Sequence, residues 1–128
     1  MIRKFIAGLC LSVGFLPLAH ASLTIDNQTD FSSTAILNNA TCSTILGSEG
    51  VTKPHDVNTV SDAKVALGCI LNRSNCTAKL YMTDNCKGDV VAVVTFDTGK
   101  GIKSIENKNV NGFVVSGSGF SAKIEQKK

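Results

Sequence analysis

The chain has 128 residues, with 13 Lys and Arg, 10 Asp and Glu, two histidines and no tryptophan. That length suits one domain around a single core. The small positive balance is spread along the chain, which excludes the basic footprint of a nucleic-acid-binding domain.

Arg3 and Lys4 precede an apolar run at positions 5–18, which ends in the small-x-small triplet Ala19-His20-Ala21. Charged, apolar and small-residue regions in that order make a cleavable signal peptide of residues 1–21. Gly8, Gly14 and Pro17 interrupt the run, and a bilayer-spanning helix needs about 20 apolar residues. No integral membrane segment is therefore expected after cleavage. Cys10 follows Leu9 inside the apolar run, away from the cleavage triplet, which speaks against lipid attachment. Residues 22–128 lose two of the 13 cations with the signal and keep a net charge near +1.

Short alternating runs then recur at about eight to twelve residue intervals, separated by Asn, Ser, Thr and Gly, with no long pattern of period 3.6. Leu23 and Ile25 alternate with Thr24 and Asp26 in a first strand, and a polar turn at 27–32 leads to a second through Ala35 and Leu37. Residues 38–54 read as a long loop with a short strand at 43–46. Strands are expected at 56–60 and at 63–71, where Val65, Leu67, Cys69 and Leu71 share one phase. Beyond the turn Asn72-Arg73-Ser74-Asn75, the phase resumes with Cys76, Ala78, Leu80 and Met82. Residues 90–96 are apolar without alternation, which predicts a central strand covered on both faces. Strands at 102–106, 112–116 and 118–125 complete the chain, the last turning Phe120, Ala122 and Ile124 inward. The expected fold is all-β: a compact antiparallel β-sandwich or small Greek-key barrel of about eight strands, one domain at 22–128.

Once Cys10 leaves with the signal, Cys42, Cys69, Cys76 and Cys86 remain. An even number in an oxidising compartment implies two disulfides, with three connectivities open. Their spacing lacks the close pairs of a zinc site, so no metal and no cofactor are expected. A hairpin carrying Cys69 and Cys76 on one inward face would let them meet across the ladder, which leaves Cys42 for Cys86. That second bridge would pin the loop at 38–54 to the turn at 84–88.

Catalytic chemistry finds few candidates. His55, beside Pro54 and Asp56, is the one histidine outside the signal and reads as a loop residue; a triad needs a base, a nucleophile and an orienting group in mutual reach. The stretch Val93-Val94-Thr95-Phe96-Asp97-Thr98-Gly99 resembles the active-site turn of retropepsin-like aspartic proteases, where Asp97 would share a proton. Lys100 stands where that family has Ser or Ala and would hold the aspartate ionised, so a hairpin turn is expected there. Gly117-Ser118-Gly119 reads as a turn or bulge between strands. Four Asn-x-Ser/Thr sequences, at Asn27, Asn39, Asn72 and Asn75, follow from composition.

Two further resemblances cover more of the chain. Tyr81, Gly88 and Gly101-Ile102-Lys103-Ser104-Ile105 resemble one βγ-crystallin Greek-key motif. Gly99, Lys100 and Lys103 replace the Asn, Asp and hydroxyl ligands of its calcium-binding members, so no calcium site is implied. The segments Leu23-Thr24-Ile25-Asp26-Asn27-Gln28-Thr29, Tyr81-Met82-Thr83-Asp84-Asn85-Cys86 and Val115-Ser116-Gly117-Ser118-Gly119-Phe120 resemble small four-cysteine exported proteins of Gram-negative bacteria with no assigned activity. This resemblance implies a secreted or periplasmic location.

The expected function is a non-catalytic binding module that recognises an unidentified protein or glycan through loops, with no nucleic-acid partner. The alternative is a small secreted enzyme, inhibitor or toxin acting on host or competitor molecules. Asn39, Thr41 and Ser43 of the long loop, with Asp84, Asn85 and Lys87 of the turn, form the candidate surface.

Overall fold

The computed structural model describes residues 22–127; the expected signal peptide at 1–21 lies outside them. The strands are β1 (Leu23–Asn27), β2 (Thr34–Leu37), β3 (Thr41–Cys42), β4 (Asp56–Val60), β5 (Cys76–Tyr81), β6 (Val90–Asp97), β7 (Gly101–Asn107), β8 (Phe113–Ser118) and β9 (Ser121–Gln126). They build two sheets, ordered β4-β1-β9-β8 and β3-β2-β5-β6-β7. The expected all-β sandwich is the fold, with one departure from an antiparallel plan: β1 runs parallel to β9, from Thr24 opposite Ser121 to Asn27 opposite Ile124.

Alternation on β5 buries Cys76, Ala78 and Leu80 directly opposite Phe96, Val94 and Ala92 of β6. Val60, Phe113, Val115 and Ile124 close the core from the other sheet. Because paired residues in a ladder share a face, Val93 and Thr95 of β6 point outward, where they are half-buried rather than covered. The expectation of a strand enclosed on both faces is corrected to that extent. Along one side the sheets are stitched together by a side chain. Asn107, ending β7, donates from Nδ2 to the Val115 carbonyl (3.0 Å) and accepts the Val115 N–H at Oδ1 (2.8 Å). The amide thus imitates a ladder pair between β7 and β8.

Three local expectations are overturned. Residues 63–71 do not form a strand; Asp62–Gly68 is a helix, α1. Val65 and Cys69 are four apart and buried, while Leu67 and Leu71, in the same period-2 set, are exposed. A period of two contains a period of four, so the pattern fits either element, and Ala63, Lys64, Ala66 and Leu67 are strong helix formers. Residues 43–46 lie in a 3-10 segment, Ser43–Gly50. The crystallin-like residues fall in a sequential β5-β6-β7 meander whose last strand is a sheet edge, rather than in a four-stranded Greek key.

The disulfides join Cys42 to Cys86 and Cys69 to Cys76, 44 and 7 positions apart. Cys69 follows α1 instead of lying on a hairpin strand, so its bridge ties the helix end to the start of β5. In the chain-entropy account, closing these loops is worth about 4 and about 2.5 kcal/mol. Cys69 and Cys76 are fully buried, and serine there would also bury hydroxyls; alanine avoids that. Cys42→Ala/Cys86→Ala is expected to lower stability by about 1.5 kcal/mol more than Cys69→Ala/Cys76→Ala, measured by urea unfolding.

Asn27 is fully buried at the end of β1. Its Nδ2 donates to the carbonyls of Phe31 (2.6 Å), Thr52 (3.2 Å) and Lys53 (3.2 Å). Its Oδ1 accepts from the Thr29 N–H (3.0 Å) and hydroxyl (2.8 Å). Removing the amide takes away five hydrogen bonds at a fully buried position and leaves the buried Thr29 N–H without its acceptor, so Asn27→Ala is expected to cost about 2–4 kcal/mol, seen as a lower urea midpoint with an unchanged slope.

Candidate functional site

The long loop begins with a tight return from β2 to β3. Asn38 and Asn39 both adopt positive φ (52° and 57°), a conformation that asparagine tolerates. Asn38 exchanges bonds with the start of β5: its N–H reaches the Thr77 carbonyl (2.9 Å), and its Oδ1 accepts the Thr77 N–H (3.2 Å). The exposed Asn39 comes next, at that end of the sheet, and exposed Thr41 pairs with Leu37 at the sheet edge.

Two hydroxyls fix the loop and the turn against β2. Ser43 Oγ donates to the Gly50 carbonyl (2.5 Å) and accepts the Ala35 N–H (3.0 Å). The residue is only 6% exposed, so Ser43 is corrected from a surface candidate to an internal brace. Thr34 Oγ1 donates to the Thr83 carbonyl (2.8 Å) and accepts the Cys86 N–H (3.0 Å). Thr83 Oγ1 closes the turn itself, donating to the Lys87 carbonyl (2.8 Å) and accepting the Lys87 N–H (3.1 Å). Cys86 sits at φ 56° and Gly88 at φ 92°, bending the turn back toward β2.

Cys42 lies opposite Ile36, which lies opposite Lys79, on the outward phase of β5. The Cys42–Cys86 bridge therefore crosses the outer face of the five-stranded sheet. It brings the exposed Asp84, Asn85 and Lys87 to the side of β3. Asn39 stands apart from them, at the Thr77 end of β5, whereas the turn leaves from the Tyr81 end. The candidate surface thus resolves into a braced turn at 84–87, with Asn39 outside it and Thr41, opposite Leu37 and through it Ala78, on the inward phase at the sheet edge.

Other titratable residues are placed singly. His55 Nε2 meets Asp30 Oδ1 at 2.5 Å with both side chains exposed. Asp97 Oδ1 accepts the Gly99 N–H (2.7 Å) in the β6–β7 turn, the hydrogen bonding of an Asx turn. Among the described residues no three His, Cys, Asp or Glu side chains gather at metal-binding range. Sequence reasoning passed over Thr34 and Glu49, and the Ser43 and Thr34 braces carry no local signal, because their partners lie 7 to 52 positions away.

Glu49 anchors the far end of the loop. Its Oε1 accepts the Ser61 N–H (2.7 Å), and its Oε2 lies 3.4 Å from Lys64 Nζ. The Ser61 bond, supported by Lys64 and opposed by partial desolvation, holds its carboxyl below the ordinary value of 4.5. A lowered folded-state pKa contributes stability at pH values above the unfolded one. That contribution fades as pH falls through 4.5 and is gone below the folded value. Glu49→Gln is therefore expected to flatten the acid limb of the stability curve below about pH 4.5, read from urea midpoints at stepped pH.

A family model described as "NttC: T2SS substrate NttC" matches residues 1–127. A search of the curated proteins returns no match. Among solved structures, the crystal structure of the Legionella pneumophila type II secretion system substrate NttC aligns with a TM-score of 0.68 at 24% identity. It covers 84% of this chain and 98% of that one, so the two share a fold. The chain belongs to the NttC family and is a secreted protein.

Proposed function

We propose that this chain is a substrate of a type II secretion system, as the family description says of NttC, and that it acts as a non-catalytic binding module. In this reading, Asp84, Asn85 and Lys87 meet a protein or glycan beside the outer face of the five-stranded sheet. The observation that carries it is the bracing of the turn. One disulfide, the Thr34 hydroxyl and the Thr83 hydroxyl hold four exposed polar or charged residues, Asp84, Asn85, Lys87 and Asp89, in one arrangement. A surface ordered before contact loses little conformational entropy on binding. Asp84 and Lys87 supply opposite charges, and Asn85 supplies both a donor and an acceptor, a mixture that suits hydroxyl-rich or peptide ligands.

The test is capture of labelled ligands by the oxidised domain, using a glycan array and bacterial-envelope and host-surface fractions. Asp84→Ala/Asn85→Ala/Lys87→Ala is expected to weaken capture at least tenfold while leaving the unfolding curve within about 0.5 kcal/mol. Cys42→Ala/Cys86→Ala is expected to weaken it as well, and Cys69→Ala/Cys76→Ala to spare it below the unfolding temperature. Full capture by the triple variant overturns this assignment.

A further inference from the structure

Six large apolar side chains are strongly exposed among the described residues, and three of them lie within positions 67–71: Leu67 at 62%, Ile70 at 60% and Leu71 at 80%. These are the residues that a strand would have divided differently. The helical turn that buries Val65 and Cys69 sends Leu67 and Leu71 outward. The backbone that follows Leu67 is tied down. Cys69 is bridged to Cys76, the Asn72 N–H bonds the Cys69 carbonyl (3.0 Å), and the Thr98 N–H bonds the Arg73 carbonyl (2.9 Å). The Asn75 N–H is held by Asn72 Oδ1 (3.1 Å). The loop is a fixed wedge with aliphatic side chains at its tip.

Cations flank it. Arg73 belongs to the loop, and Lys103 Nζ reaches the Ser74 carbonyl (3.3 Å) and Asn75 Oδ1. Lys100 lies in the β6–β7 turn, which is bonded to Arg73 through Thr98. None of the ion pairs among the described residues uses these three. Of the nearby carboxylates, Asp97 is bonded to the Gly99 N–H (2.7 Å), and Asp62 opens α1, about 10 Å of helix from its far end.

We propose that this wedge docks the secreted protein on an anionic lipid bilayer, inserting Leu67, Ile70 and Leu71 at the interface while Arg73, Lys100 and Lys103 meet the headgroups. Exposed aliphatic side chains beside unpaired cations are the pattern of interfacial binding. A stable protein interface takes about 800 Å² from each partner and centres on buried aromatic or arginine anchors. A projecting turn with three exposed aliphatic side chains, no aromatic one and an arginine at its flank falls short of that area. The wedge sits at the Cys76 end of β5 and the braced turn at the Tyr81 end, so both can be occupied together.

Flotation with phosphatidylcholine vesicles, with and without phosphatidylserine, tests the idea on the oxidised domain. Binding is expected on the mixed vesicles and is expected to fall as salt rises. Ile70→Ser/Leu71→Ser should weaken it at least tenfold, and Arg73→Glu/Lys100→Glu should remove the preference for phosphatidylserine. The chain has no tryptophan, so Leu71→Trp supplies a single emission signal that should shift to the blue with mixed vesicles. Absence of that shift, or equal flotation of the serine variant, overturns the proposal. So does concentration-dependent dimerisation abolished by Leu71→Ser, which would assign the wedge to a second copy.

Discussion

Where β1 ends, the chain leaves the middle of a sheet for a turn in which only Thr29 is buried, and the backbone there has no ladder to join. Carbonyls of Phe31, Thr52 and Lys53 come from two separate segments and converge on one side-chain amide, that of Asn27. A carbonyl taken from water without a donor costs much of its hydration, and this amide ties both segments to the buried end of β1. Their neighbours are placed in turn. Phe31 stacks edge-on against Phe113 with centroids 5.7 Å apart, and Ser33 bridges to Thr52. The same side chain bears on the sequence at Asn27-Gln28-Thr29, whose acceptor-like pattern is here a folded Asx turn with its amide fully engaged.

That device is repeated through the molecule. Asn38 meets β5, Asn58 Nδ2 serves the carbonyls of Glu49 (3.0 Å) and Val51 (3.3 Å), and Asn107 joins the two sheets. Thr34 and Ser43 do the same with hydroxyls. The Asn, Ser and Thr that look like loop filler are in large part internal fasteners. Short polar side chains carry donors and acceptors at low entropic cost, which suits a small domain with few strand residues to spare for ladders.

This division explains how much of the fold is legible in the residues alone. Strands β1, β2, β4, β5, β6, β7, β8 and β9 announce themselves by period-2 alternation or an apolar run between turn residues, and the inward set Cys76, Ala78, Leu80 carries directly into the core. The disulfide pairing is within reach because two cysteines stand seven apart across a polar turn. The helix is not, since Val65, Leu67, Cys69 and Leu71 satisfy both periods and only tertiary contact decides which half is buried. At the candidate surface, residue type alone does not separate exposed Thr41 from buried Ser43. A hydroxyl becomes a brace or a contact according to partners far away in the chain.

The parallel pairing of β1 with β9 joins the strand nearest the amino terminus to the one nearest the carboxyl terminus. β1 also lies between β4 and β9, so it has no complete set of neighbours until the final residues are present. During export the amino terminus emerges first. The four-stranded sheet then has to wait for the whole chain, while the local β5-β6-β7 meander can form earlier. Any enzyme that oxidises the cysteines would meet a half-assembled domain in which Cys69 and Cys76 are already close and Cys42 and Cys86 are still far apart in the chain. Loop-closure entropy favours the seven-residue bridge over the one that spans 44 positions.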